Sequence, residues 1–277
     1  MLIRSDWHIH SEASYDSSLS LDTVIAGAAE FGFSAVGITD HVNTNEPHYL
    51  RDARRSAELV KEAAGAHRGL TLGVELTPID VYEYRYIREH GTREGFAWPQ
   101  VNGPLPIELP MTKEEMLALG IRYAIGATHW RIDEAGAKEF TPELEGCIRE
   151  WYRQQLFMAS DERVTVLGHP WYQSRGLWYQ DFSVIPRSMN EEIAAALKEN
   201  GKYVECNVHF FIAGSSEKFR HQYAEYLREM FEMGIPVTYG SDAHNTYRPN
   251  HLRAVPYLEA AGFCEGEIGG IAEKDLW

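Results

Sequence analysis

Cysteine is scarce in this chain, and the three present, Cys147, Cys206 and Cys264, lie far apart and in no CxxC spacing. That excludes a disulfide framework and a thiolate metal cluster as organising devices, and a reducing, cytoplasmic setting is expected. Long apolar runs are missing as well. No stretch approaches the ~20 residues of a membrane span, and the opening segment MLIRSDWHIHSE lacks the apolar run of roughly 7–15 residues of a secretory signal. Positive charge is in deficit: 26 Lys and Arg face 41 Asp and Glu, a formal net charge of −15. General nucleic-acid binding leaves a basic footprint, so this balance argues against it. A small anionic substrate is still allowed, because bound cations reverse the charge inside a pocket. The chain has neither a GxSxG nucleophile elbow nor a phosphate-cradling P-loop, which removes serine-nucleophile and P-loop chemistry. No linker rich in Pro, Gly or Ser divides it, and no repeat or low-complexity tract is visible.

What is present is a regular alternation. Strands are expected at Leu2–Trp7, Ala35–Thr39, Leu70–Glu75, Tyr123–Thr128, Val164–Gly168, Tyr203–Asn207 and Pro236–Gly240, all short and rich in Val, Ile, Leu and Tyr. Helices are expected at Leu21–Phe31, Tyr49–Ala64, Glu143–Ala159, Glu191–Glu199 and Glu217–Met233. Thr112 with Glu115, and Ser188 with Glu191, have the spacing of capping boxes. Thr141 before Pro142 reads as an N-cap ahead of a first-turn proline, and Gly32, Gly201 and Gly234 stand where helices should end. Strict strand–helix alternation implies a parallel α/β sheet. A barrel would leave no exposed edge, and an open doubly wound sheet is the alternative. At 277 residues and 44% hydrophobic the chain suits one barrel domain over 1–277. One connection, at about 76–111, is long; its tyrosines (Tyr82, Tyr84, Tyr86), Trp98 and cluster of prolines and glycines read as a pocket wall.

The chemistry sits at the strand ends. The first strand leads into His8-Ile9-His10, whose two imidazoles share one face, and Asp16 follows. The next strands lead into Thr39-Asp40-His41, Gly73-Val74-Glu75, Thr128-His129-Trp130, Gly168-His169-Pro170, Glu205-Cys206-Asn207 with His209 just beyond, and Ser241-Asp242-Ala243-His244. Each strand therefore delivers His, Asp, Glu or Asn to its C-terminal edge, where barrel active sites are built. Imidazole and carboxylate suit zinc, manganese or iron. One such histidine alone would be unremarkable; His48, His67, His90, His221 and His251 have no such neighbours and are read as ordinary loop or helix residues.

This ordered set resembles the polymerase and histidinol phosphatase (PHP) family, and the likeness spans His8 to His244. The resemblance implies a distorted (β/α)7 barrel with the metal site at the C-terminal ends of the strands. It implies two to three divalent ions and hydrolysis of a phosphoester by attack of a metal-bridging hydroxide. It assigns His8, His10, Glu75 and Asp242 to a first metal, Glu75 with His129 and His169 to a second, and Asp16, His41 and His244 to a third. Asp40 is expected behind the ligands, orienting one of them. Three divalent ions against the three carboxylates of Asp16, Glu75 and Asp242 leave net positive charge for a phosphoryl group.

Catalytic candidates are Glu75, Asp242 and His209, the last two as proton donors to the leaving group. Arg88, Arg131 and Arg175 offer forks that match phosphate oxygens, the alternative for each being a surface ion pair. Trp130 and Trp171 either stack on the substrate or wall the pocket, and Asn207 is placed to orient water or substrate. The expected activity is that of a phosphatase on a small phosphorylated metabolite, histidinol phosphate being the named option within the resemblance. A PHP-type nuclease or phosphodiesterase, a non-catalytic metal-binding domain and a C–N hydrolase are the alternatives.

Overall fold

The computed structural model of the chain describes residues 1–43, 50–65, 69–135, 144–170, 181–212, 215–248 and 250–277. Its strands are β1 (Ser5–Ile9), β2 (Ala35–Ile38), β3 (His41–Val42), β4 (Leu70–Leu72), β5 (Val74–Leu76), β6 (Ile79–Asp80), β7 (Ile107–Glu108), β8 (Ala124–Gly126), β9 (Val166–Leu167), β10 (Tyr203–Asn207), β11 (Val237–Gly240) and β12 (Ile268–Gly269). Its helices are α1 (Leu21–Phe31), α2 (Arg51–Ala63), α3 (Val81–His90), α4 (Lys113–Ala118), α5 (Leu144–Ser160), α6 (Arg187–Glu199), α7 (Val208–Ile212), α8 (Glu217–Glu232) and α9 (His251–Ala260). Among the described residues no helix is long and apolar enough to cross a membrane.

Two parallel sheets, β1-β2-β4 and β12-β11-β10-β9-β8-β5-β3, make up one wall. The chain runs from β2 into β3 and from β4 into β5, and Gly73 N–H donating to the Ile38 carbonyl (2.8 Å) and Glu75 N–H to the Asp40 carbonyl (3.2 Å) carry the pairing across both joints. Seven staves result: β1, β2/β3, β4/β5, β8, β9, β10 and β11. Between the first and last, Asp242 N–H donates to the His8 carbonyl (2.7 Å), His10 N–H donates to the Ala243 carbonyl (2.9 Å), and Ile9 bridges to Ala243 in parallel. At the opposite end of this seam β12 pairs with β11 instead, Val237 with Ile268 and Thr238 with Gly269. The expected (β/α)7 barrel is thus distorted at one seam, held to β1 only at the end that carries the histidines.

The interior explains several residue choices. Trp7, Tyr123, Ile125, Ala127, Val166, Tyr203 and Ile271 form a cluster of their own, separate from the larger core between strands and helices. Tyr123 fills the space where Gly37 and Gly73 have no side chains, a Cβ at either meeting its ring or hydroxyl. Its hydroxyl donates to the Trp7 carbonyl at 2.7 Å. Between Asp6 and Ile9, three steps along β1 match two along β2. Such a bulge breaks the alternation of side chains, so Trp7 joins the interior cluster while its neighbour His8 faces the site.

Local signals account for most of the helices. The Ser20 side chain caps α1, and Gly32 ends it at φ 74°. Gly201 and Gly234 likewise adopt positive φ beyond helix ends. Thr112 and Glu115 form the expected capping box on α4. The box expected at Ser188 and Glu191 does not form: α6 begins earlier, at Arg187, directly after Pro186 and with no side-chain cap. The proline's restricted φ brings the chain into helical geometry before Ser188 can serve as a cap. The cap at Thr141 lies outside the described residues. The connection at 76–111 is structured: β6 pairs antiparallel with β7, and α3 lies between them, capped by Asp80 and ended by Gly91 at φ 71°.

Candidate metal centre

Eight of the nine expected ligands, all but Asp16, stand on or just after strand ends joined to one another. β1 carries His8 and His10. His41 on β3 pairs in register with Glu75 on β5, and Glu75 with Ile125 on β8, so imidazole and carboxylate stand on neighbouring staves. His129 and His169 follow β8 and β9, and Asp242 and His244 follow β11. Asp242 adopts φ 52° and His169 φ 21°. Non-glycine residues in this region are strained, and such strain gathers at functional sites.

Glu75 lies at the middle of the group and is fully buried. Its Oε2 is 3.4 Å from His8 Nε2, 3.3 Å from His10 Nε2 and 2.8 Å from His41 Nδ1. Its Oε1 is 2.9 Å from His169 Nε2 and 3.4 Å from His129 Nε2. Asp242 Oδ1 stands 3.6 Å from His8 Nε2 and 3.3 Å from His10 Nε2, while the two imidazole Nε2 atoms are 3.1 Å apart. Further out, Asp16 Oδ2 is 3.3 Å from His41 Nε2 and 3.7 Å from His244 Nε2. The His10 ring packs against those of His41 and His244, at 4.3 and 4.1 Å between centroids.

These separations suit ligands better than hydrogen-bonded pairs. Donor atoms at ~2.1 Å from one tetrahedral ion stand about 3.4 Å from each other. Glu75 Oε2 and the Nδ1 atoms of His10 and His41 are buried, yet none makes a hydrogen bond of acceptable geometry. Orphaned buried acceptors are costly unless something else satisfies them. Among the described residues, three groups are compact enough to hold an ion: His8, His10 and Glu75; His41, Glu75 and His129; and His10, Asp16, His41 and His244. The donors are nitrogen and oxygen, and all three cysteines are free, so the residues fit a divalent transition ion. The groups overlap more than expected. His41, assigned to the third ion alone, also faces Glu75, and His10, assigned to the first, belongs to the third group as well.

Charge on these side chains follows from burial and from one another. Burial opposes protonation of His8, but the Glu205, Asp242 and Glu75 carboxylates outweigh it and hold its pKa well above the usual imidazole value. His41 behaves alike, burial being outweighed by Glu75 and Asp16. Burial pushes Glu75 and Asp242 up, and the surrounding histidines, His41 for the first and His8 for the second, bring both well below the ordinary carboxylate range. His129 is pushed down to about 3, by burial first, and His244 to about 4, by burial and then by His10. Neutral imidazoles are what a metal requires.

Supporting contacts were not all visible from the sequence. Glu205 Oε1 accepts from His8 Nδ1 at 2.7 Å, and its Oε2 accepts from the His169 backbone N–H at 2.6 Å. The Thr77 hydroxyl is 2.9 Å from His129 Nδ1. Asp40 is behind the ligands as expected, but it grips Ser11, the residue after His10, through backbone N–H (2.6 Å) and hydroxyl (2.7 Å), rather than a histidine ring. Asn207 Nδ2 donates to Asp242 Oδ2 at 3.2 Å. The alternation of Glu205 with Asn207 on one strand was the available signal for the former.

Among the expected substrate contacts, Arg131 is largely buried and forks onto Asp133, at 2.9 and 2.7 Å. Arg88 pairs with Glu115 of the α4 capping box and lies 5.8 Å from the Tyr84 ring centre. Trp130 is mostly buried, its ring 5.9 Å from that of His129. His209 is exposed at the start of α7. Trp171 and Arg175 lie outside the described residues. His251, one of the histidines set aside, is packed among Phe33, Phe31 and Tyr239; His90 stacks on Tyr86.

A family model for the PHP domain matches residues 6–209. A probable phosphatase of Acetivibrio thermocellus is 37% identical over 88 residues, 30% of this chain and 35% of that protein's length. A solved structure of histidinol phosphate phosphatase from Lactococcus lactis subsp. lactis, complexed with zinc, L-histidinol and phosphate, superposes with a TM-score of 0.64, covering 95% of both chains at 21% identity. At that identity the likeness speaks for the fold. The match over residues 6–209, on a barrel whose strand ends converge on Glu75, shows that the chain belongs to the PHP domain family.

Proposed function

We propose that this protein is a metal-dependent phosphoesterase that hydrolyses a small phosphorylated metabolite. The observation that carries this reading is Glu75, a buried carboxylate with one oxygen toward His8, His10 and His41 and the other toward His129 and His169. Such a carboxylate joins two ion positions, with Asp16, His41 and His244 beside them for a third. Zinc, manganese or iron bound there would activate water and neutralise phosphoryl oxygens. The chain's own part is to fix the ligands: Asp242 turns Oδ1 toward the histidines while Asn207 holds its Oδ2, and Thr77 sets the His129 ring. His209, exposed two residues beyond Asn207, is the proposed proton donor to the leaving group, with Asp242 the other candidate. Arg131, Trp130 and Asn207 are proposed on the substrate side, with Arg88, Arg175 and Trp171 as further candidates. Membership in the PHP family and the phosphatase names of the two relatives support a phosphate ester over an amide, and histidinol phosphate is the first ester to try.

The test is a panel of phosphate monoesters, including histidinol phosphate, set beside phosphodiesters, single-stranded DNA and simple amides. It uses protein whose metal content has been measured. Release of phosphate from monoesters, abolished by chelator and restored by zinc or manganese, is expected. Full metal loading with no hydrolysis of any ester would overturn the proposal, and selective cleavage of DNA or amide would replace it.

A further inference from the structure

One buried carboxylate near the centre belongs to no ion group: Glu205, in the middle of β10. The side chains of Tyr203, Glu205 and Asn207 alternate with Val204 and Cys206, so Glu205 and Asn207 share one face. Among the described residues, the three contacts that the Glu205 carboxylate accepts all lead to the centre. Oε1 takes the His8 Nδ1 proton at 2.7 Å; Oε2 takes the His169 backbone N–H at 2.6 Å and Asn207 Nδ2 at 3.3 Å. Asn207 Nδ2 in turn reaches Asp242 Oδ2. The barrel makes room for this group. A Cβ at Gly240 on the next stave would collide with Glu205 Oε1 and with His8 Cβ, and a Cβ at Gly168 on the other side would come within 3.5 Å of Oε2. β10 is itself fixed from outside, the Tyr223 hydroxyl donating to the Glu205 carbonyl at 2.8 Å.

We propose that Glu205 is a positioning residue that couples two ion positions, orienting His8 of the first and the backbone of His169 of the second through its two oxygens. By accepting from Nδ1 it fixes the His8 tautomer that leaves Nε2 free to bind a metal. By accepting from the His169 N–H it holds the turn, at φ 21°, that aims the His169 ring at Glu75. One carboxylate therefore serves both sides of the Glu75 bridge, and the two positions fill together. This inference rests on the proposal that the centre binds metals.

The test compares wild type, Glu205→Gln and Glu205→Asp, stripped with chelator and reconstituted with Zn²⁺. Metal per chain and affinity against a competing chelator are measured, with the His8 tautomer read by ¹⁵N NMR. An amide can accept from one of the two donors but must turn its NH₂ toward the other. Glu205→Gln is expected to lose at least one zinc per chain or weaken the pair roughly tenfold to a hundredfold, with a mixed His8 tautomer and a metal-free melting temperature near wild type. Glu205→Asp keeps the charge but withdraws it from His8. It is expected to lose zinc as well, and it decides the matter if Glu205→Gln does not fold. Wild-type zinc number and affinity in the folded variants would overturn the coupling while leaving the metal proposal intact. A wild-type chain that takes up no zinc would overturn both.

Discussion

An amide at position 75 would keep the shape of the side chain and remove the charge that His8, His10, His41, His129 and His169 all face. Asp16 stands at the rim beside His41 and His244 and is partly open to solvent. Glu75→Gln is therefore expected to lower metal content by more than one ion per chain and to cut ester turnover at least tenfold further than Asp16→Asn. Metal analysis and kcat on both variants check this; equal losses at matched occupancy would show that Glu75 is not the bridge. Apart from Asp16, the candidate ligands could be picked out in the sequence because each stands beside a strand end with a recognisable neighbour, as in Gly168-His169-Pro170. The contacts of Glu205 and Thr77 could not, because a carboxylate inside a strand, or a hydroxyl just past one, carries no sign of which ring it touches. The arginine reading was weaker for a related reason: forks that match phosphate match carboxylates equally, and Arg131 and Arg88 have found Asp133 and Glu115.

The connection at 76–111 shows how a local pattern misleads about an element. Tyr82, Tyr84 and Tyr86 alternate as a strand would, yet the segment is the helix α3. The decision lies with its ends: Asp80 Oδ1 accepts from the backbone of Tyr82 and Glu83, both at 2.9 Å, and Gly91 closes the last turn. Asp80 Oδ2 also accepts from Trp98 Nε1 at 2.8 Å, tying the returning chain to the helix start. Asp80→Ala removes an N-cap, worth about 1 kcal/mol, and strands a partly buried indole donor at about 1 kcal/mol more. A loss of about 2 kcal/mol is expected in denaturant unfolding, with metal content unchanged. A change below about 0.5 kcal/mol would mean that α3 is held by packing alone.

The seam between β1 and β11 would make the whole barrel depend on ions bound at the proposed centre. Its pairing is confined to the site end, where His8 and His10 stand on one side and Asp242 and His244 on the other, so bound metal would cross-link the two. In the metal-free protein His8 and His41 have raised pKa values. Their contribution to stability is complete below about 6.5, the unfolded imidazole value, and is lost as pH rises through the folded pKa. Glu75 and Asp242, being depressed, contribute throughout the range above their unfolded values, about 4, and add no slope near neutrality. Metal binding must displace the histidine protons, so the loaded protein is stabilised as pH rises. Melting temperatures between pH 6.5 and 8.5 are therefore expected to fall with pH in chelator and to rise with zinc. Parallel slopes would contradict this account.

Strand–helix alternation, the barrel class and the order of the ligands could be read from the chain alone, because each depends on residues within a few positions of one another. The shift of the first strand from the expected Leu2–Trp7 to Ser5–Ile9, the bulge that lets Trp7 and His8 share the interior, and the intrusion of β12 at the seam depend on pairing with other strands: β2 for the bulge, β11 for β12 and Ala243 across the seam. The same holds for Glu205, which has room because Gly240 on a neighbouring stave has no Cβ to meet its Oε1. A side chain's type sets which chemistry it can perform. Which oxygen meets which ring is decided when the barrel closes, because closure alone brings histidines from distant strands together around Glu75.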